Sequence, residues 1–499
     1  MMKQYKFIKH GIDLKQIGIC SIAFIFLMCI IFFSEKSIGF GKSQSIIFVT
    51  VVLLLLFGFG IYCFAKVEFA KWTFIFLLIA GTLSLLIQPI LNIPDEGAHL
   101  ARAEYVSEGK LLVDVKDTEF EVIQSVADLQ KYIKVPYTKT ELKGKAINYE
   151  KAMVKHIAAG NFVVLYFPQA IGILIAKFFN LHVIWMLWLG RFVNLLVYCI
   201  IVSVAISLAT RWKMMLFFMA SLPMSIQQAA SFSPDALINA VCILYIGLFI
   251  HLYCKEKKTV TKGEMAILIA LSILIPIFKV SNILIVGLVL LLPMDNITSK
   301  KSVLIKIFII FIACIAAVGY YWHTTQFAPN MEQSGYLKSV GADSAGQIQY
   351  ILTNIGVWIK YFISSLINQF EGIIGSLNNF GWLSYQYSIL NMVSIFMFSK
   401  ICFQEKGIGL NKIGKLLILL MGIGTYTITC LALYISWTPV GSTEIAGMQG
   451  RYLIPMLTLI SMMFSGEKNK NENKNNTIDV TVICSMLGAM FIITATQYY

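Results

Sequence analysis

The chain has 499 residues, of which 58% are hydrophobic and only 13% charged, with a formal net charge of +14. Soluble domains carry roughly 25% charged residues, so a soluble globular protein is excluded and an integral membrane protein is expected. The positive charge does not mark a nucleic-acid binder. Lys and Arg lie mainly in short loops between apolar runs, where they orient spans, and no basic–aromatic interleaving of the kind that grips single strands accompanies them.

The N-terminal stretch "MMKQYKFIKHGIDLK" is basic and precedes an apolar run without a small-residue cleavage pattern. It reads as an uncleaved first anchor. Apolar runs at 16–34 and 46–65 make an N-terminal anchor region, 1–71. Lys3, Lys6, Lys9 and Lys15, then Lys66 and Lys71, put the N-terminus and the second turn in the cytoplasm. The next run, 72–91, therefore ends outside and opens a central membrane module, 72–330.

The segment 92–161 follows, with ten Lys or Arg and eleven Asp or Glu. It is expected to be an external loop, too long and too evenly charged to set orientation itself. It opens with "LNIPDEGAHLARAEYVSEGKLL", Leu91 to Leu112. Pro94 suits the first turn of a helix, because its missing N–H has no partner there. Asp95, His99 and Arg102 then share one helical face by i, i+4, i+7 spacing. Two readings stay open. Asp95 and Glu96 can simply stabilise a helix N-terminus by ~0.3–1 kcal/mol, or a carboxylate, an imidazole and a guanidinium can converge at the membrane surface.

Run 162–179 contains Pro168 and Gln169 and is expected to lie on the outer face as an interfacial helix. With it outside, "RWK" (211–213), "KEKK" (255–258) and "SKK" (299–301) all fall in the cytoplasm. Spans are expected at 184–209, 213–231, 235–254, 263–278, 281–293 and 303–322. Within them, "SFSPDALINA" (231–240) re-enters from outside, with Ser233 as cap and Asp235 in the first turn. Lys279 in "IPIFKVSN" also falls on the outer side. It either snorkels or marks function, as ionisable residues near membrane depth often do.

The remainder, 331–499, forms a C-terminal membrane region with spans at 383–401, 413–436, 451–465 and 478–497. The external loops are 322–382 and 437–450, and the same charge parity makes the run 351–369, with Lys360 in its middle, a second interfacial helix. "EGIIGSLNNFGWL" (371–383) reads as turn punctuation or a sugar-lining loop. In "SWTPVGSTEIAGMQGRYLIP" (436–455), Arg451 at an external span end runs against the positive-inside bias and so is a candidate anion ligand. The expectation is an all-α polytopic bundle of about thirteen transmembrane helices plus external interfacial helices, with the C-terminus outside. The ten cysteines form no CxxC pair and read as small buried hydrophobes. His99, His156, His182 and His323 show no metal-ligand spacing, and no phosphate-binding loop is present.

"IPDEGAHLARAEYVSEGK", a proline-containing amphipathic helix, "GRFVNLL" and "SPDALINA" together resemble the GT-C superfamily of membrane glycosyltransferases, such as the lipid A aminoarabinose transferases and protein O-mannosyltransferases. With "GWL" and "QGRYLIP" added, the set is similar to the bacterial membrane-protein family known as domain of unknown function 2142, over about residues 91 to 455. The resemblance implies a GT-C-like bundle that moves a sugar from a polyprenyl-phosphate carrier to a cell-envelope glycan on the external face, with inversion. It implies Asp95 as base with Glu96 beside it, and His99, Arg102, Asp235, Lys279 and Arg451 as substrate-binding groups. Lys279 and Arg451 would meet the carrier phosphate. A divalent ion, magnesium or manganese, is the open alternative for that charge. The amphipathic helix reads "YFPQAIG", without the charged residue those enzymes carry near a proline pair, so no acidic role is expected there. Two other functions use the same outer cavity: a flippase for lipid-linked sugars, and a lipid-linked glycan polymerase or ligase.

Overall fold

The computed structural model describes residues 14–35, 42–64, 67–117, 119–155, 158–293, 302–328, 332, 335–380, 388–405, 407–464 and 476–499. The basic residues Lys3, Lys6, Lys9, Lys66 and those of 299–301, His156, the tripeptide Gly381–Leu383 and the polar run 465–475 lie outside the described residues.

The protein is a mostly helical membrane protein. Among the described residues seven helices are long and apolar enough to cross a bilayer, or eight if the bent pair Ser344–Thr353 and Ile355–Ser376 counts as one span. The expected thirteen is therefore not reached. The run 213–231 is two short helices, α8 (Lys213–Ala220) and α9 (Pro223–Ala229). They part at Leu222–Pro223, because proline has no N–H to continue the ladder. The run 263–278 forms α11, Lys262–Phe278, whose 17 residues rise only about 26 Å against a hydrocarbon core of ~30 Å. The runs 281–293 and 451–465 alternate 3₁₀ and α turns. Hydropathy registers all of these as spans because it sums apolarity and is blind to backbone breaks.

The centre is built on α3 (Phe69–Ile87), α7 (Val183–Leu208) and α10 (Asp235–Tyr253), which pack on one another through α7. Glycine permits close approach along α7: a Cβ on Gly190 would lie 2.2 Å from the Phe232 ring. The helix α6, Phe167–Phe178, packs on α7. Its 12 residues are too short to span, and Ile171, Leu174 and Phe178 are exposed while Gln169, Ile173 and Ala176 are buried. The helices α1 (Leu14–Glu35) and α2 (Lys42–Phe64) pack against the C-terminal helix Thr477–Tyr498, which is almost wholly buried. Its Tyr498 hydroxyl donates to Asn92 Oδ1 at 2.8 Å, tying the chain end to the opening of the polar segment.

Among its described residues that polar segment is not all helix. The helix α4, Glu96–Ser107, is followed by an antiparallel hairpin of β1 (Glu119–Ile123) and β2 (Lys151–Lys155), with Glu119 opposite Lys155 and Glu121 opposite Met153. Phe120 and Val122 face inward on α4, while Glu121 meets Lys110 at 2.8 Å on the outside. The alternation of apolar and charged residues at β-strand spacing carries this hairpin.

Candidate active site

The opening stretch folds into a tight turn. Asp95 has φ 65° and ψ 6°, a left-handed conformation that aspartate tolerates better than most residues. Its carbonyl accepts from His99 N at 3.1 Å, but its side chain makes no capping hydrogen bond. The carboxylate turns instead toward Arg451, with Nη2 3.2 Å from Oδ2, and keeps 32% of its side-chain surface exposed.

Arg451 lies on a buried 3₁₀ turn, Gly450–Leu453, that leads into the helix Ile454–Ser461. Its Nε is 3.0 Å from Asp235 Oδ2. That contact is an ion pair by distance and is poorly aligned as a hydrogen bond, since Nε and Nη1 both lack an aligned acceptor. Lys279 ends α11, where the chain leaves the helix with φ −159°. Its Nζ is 3.5 Å from Asp235 Oδ1 and 3.5 Å from the centre of the Tyr452 ring. Two carboxylates and two cations from four separate elements thus form one alternating chain, Asp95–Arg451–Asp235–Lys279. An aromatic face holds the lysine from below.

His99 stands next to this chain and joins a second set of groups. Its Nδ1 is 2.9 Å from Tyr166 Oη, which also accepts from Asn161 Nδ2 at 2.8 Å. Burial pushes the imidazole pKa down to about 4, with nearby Asp95 and Asp235 raising it and Arg451 lowering it. The ring is neutral at pH 7.

Glu96 does not join the cluster. It is fully buried and forms a bidentate pair with Arg191 of the "GRFVNLL" motif, Nε–Oε1 2.8 Å and Nη2–Oε2 2.7 Å. Arg191 further donates to the Pro89 carbonyl at 3.1 Å and to the Tyr137 hydroxyl, while Glu96 accepts from Phe232 N at 3.2 Å. Three residues along the same helix, Asn194 donates to Ser231 O at 2.8 Å. Arg191 and Asn194 therefore clamp the turn before Asp95 and the turn before Asp235 onto one helix, which sets the two carboxylates near each other. This geometry gives Glu96 a scaffolding place. Arg102 also stays outside the cluster: it donates to the Leu111 carbonyl and lines a neighbouring cavity, although it shares the helix with His99. Sequence reading missed Arg191, Asn194, Tyr166, Asn161 and Tyr452. The first two are visible as polar residues three apart in an otherwise apolar span, which is a legible signal. The other three are ordinary interface residues by sequence.

The donor set does not suit a resident divalent ion. Among the described residues no three His, Cys, Asp or Glu side chains gather as ligands. Both carboxylates of the cluster already face cations.

The fold and cluster define a multi-pass membrane protein with an ion-paired polar site where several helix ends meet. A family model described as predicted membrane protein (DUF2142) matches residues 76–460, well over half of the chain, and the protein belongs to that family. No curated protein matches it, and no solved structure does.

Proposed function

We propose that the protein is a glycosyltransferase that moves a sugar from a polyprenyl-phosphate donor to a cell-envelope glycan at the outer face of the cell membrane, in the manner of the GT-C enzymes it resembles. The observation that carries this reading is the alternating chain Asp95–Arg451–Asp235–Lys279, in which an uncapped, partly exposed carboxylate shares a cation with a second carboxylate.

The arrangement fits displacement of a phosphate. An acceptor hydroxyl gives its proton to Asp95 as its oxygen bonds to the anomeric carbon. The bond from that carbon to the phosphate oxygen breaks, and the phosphate leaves with the electron pair. Attack opposite the leaving group inverts the centre. A positioned carboxylate contributes ~10²–10⁴-fold to such a step. Lys279 and Arg451 stabilise the departing charge, and their fixed positions spare reorganisation. Arriving phosphate competes with Asp95 for Arg451, which releases the carboxylate for the proton. Asp235 holds Lys279 and Arg451 in register. The short, one-sided apolar helix α6 suits a place on the outer surface, where the prenyl tail stays in lipid and the sugar phosphate reaches the cluster.

Envelope glycan composition tests this in a deletion strain complemented with wild type or with Asp95→Asn. Loss of one sugar substituent on deletion, recovery with wild type and no recovery with Asp95→Asn is expected. Full recovery with Asp95→Asn removes the base and favours transport of a lipid-linked sugar.

A further inference from the structure

Three arginines are buried among the described residues, and two of them face carboxylates: Arg191 pairs with Glu96, and Arg451 with Asp95 and Asp235. Arg102 does not. It is 2% exposed, yet its only hydrogen bond among the described residues runs from Nη2 to the Leu111 carbonyl at 3.0 Å. Nε and Nη1 have no acceptor there. The titratable groups that bear on it are tyrosines, Tyr166, Tyr105 and Tyr320, and its planar head lies near the Tyr105 and Phe120 rings. An unpaired buried cation is costly, and native folds avoid it unless something else supplies the charge.

Arg102 lines a cavity of about 390 Å³, within the size range of small-ligand sites. Asn161, Tyr320 and His323 add polar edges to its wall, and Ile277 near the end of α11 and Gly319 of α13, Ser302–Thr325, line it as well. Beside the wall, Val318 and Trp322 of α13 are 70% and 67% exposed. An apolar and aromatic surface at a span end is where lipid headgroups lie. Guanidinium recognises tetrahedral oxyanions through charge-assisted hydrogen bonds that carbonyls cannot replace.

We propose that this cavity binds a phosphate-type oxyanion on Arg102, at a site distinct from the Asp95–Arg451–Asp235–Lys279 cluster. The two are neighbours, since Asn161 lines the cavity and donates to Tyr166, which bonds His99. The proposal stands on the orphaned guanidinium and does not require the transferase reading. The anion is either the headgroup of an outer-leaflet lipid or a soluble phosphate.

Two probes separate those sources, each applied to the full chain in non-ionic detergent as wild type, Arg102→Gln and Lys131→Ala, the last removing an exposed cation that lines neither site. Inorganic phosphate is titrated with thermal midpoint as the readout, and retained phosphatidylglycerol is counted by native mass spectrometry. At least one probe is expected to bind wild type and Lys131→Ala, and to bind Arg102→Gln about tenfold or more weakly, as loss of charge-assisted hydrogen bonds implies. Response to phosphate alone identifies a soluble anion, and retention of lipid alone identifies a headgroup. Equal binding by Arg102→Gln, an equal loss of binding in Lys131→Ala, or no binding of either probe by wild type overturns the proposal. Gly319→Leu serves if Arg102→Gln does not fold. An added Cβ at Gly319 meets nothing within 4 Å, so the variant fills space with Arg102 intact. It is expected to block binding, and undiminished binding in it likewise overturns the proposal.

Discussion

Arg451 Nη2 lies 3.2 Å from Asp95 Oδ2 across 356 positions of chain. The contact ties the turn that opens the polar segment 92–161 to the 3₁₀ turn Gly450–Leu453. Neither end has an obvious role by itself: one is an acid at a helix start, the other an arginine in a turn. Together with Asp235 and Lys279 they form the site on which the proposed chemistry depends.

Asp95→Asn is expected to leave expression and thermal stability near wild type, because the side chain caps no helix and is part-exposed. Transfer of sugar to the acceptor should fall by ~10²–10⁴-fold. A transfer assay on purified protein beside a melting curve checks both halves, and a large loss of stability with it would make the carboxylate structural.

Its sequence neighbour should behave in the opposite way. Removing one partner of the buried Glu96–Arg191 pair strands a charge that three elements enclose. Glu96→Gln and Arg191→Met are each expected to destabilise by ~3–5 kcal/mol, seen as poor yield or a lowered melting point in detergent. Wild-type stability in either variant would show that the clamp does not hold the fold.

Lys279→Ala and Arg451→Lys should weaken donor binding, raising the donor KM, and also lower kcat, because both groups stabilise the departing charge. Arg451→Lys keeps the charge but cannot reach two carboxylates at once. Unchanged donor affinity in both would move the phosphate elsewhere.

The burial of His99 predicts a pH window. Its folded pKa, near 4, lies below the ordinary value of 6.5, so between those values the unfolded chain binds more protons. Stability therefore rises with pH across the window and falls as pH drops from about 6.5 toward 4, by roughly 3 kcal/mol in all. Denaturation of wild type and His99→Phe over that range is the measurement. The variant should lose this part of the dependence, and an identical slope in both would clear His99 of the effect.

Orientation is tested at the polar segment. Leu112 is 84% exposed, whereas Phe120 is buried in the hairpin. Leu112→Cys should react with a membrane-impermeant thiol reagent in whole cells, beyond the background of the native cysteines. Protection until the membrane is opened would invert the topology and place the site in the cytoplasm.

The sequence by itself determined the membrane class, the apolar runs and several members of the polar site. Composition and charge placement are local properties, and a charged residue at the end of an apolar run stands out without any knowledge of packing. Asp95, Asp235, Lys279 and Arg451 were legible for that reason, and so was the short helix at Phe167–Phe178. What only the tertiary structure decided is which neighbours these residues face. Asp95 and Glu96 are adjacent in "PDE", but the left-handed turn at Asp95 sends one carboxylate to Arg451 and the other to Arg191. His99 and Arg102 share a helical face by spacing, yet one meets Tyr166 and the other a separate cavity. The number of full spans was also beyond the sequence. Pro223 and the 3₁₀ turns around Lys279 and Arg451 break apolar runs into shorter pieces, and those breaks are what bring the charged side chains together.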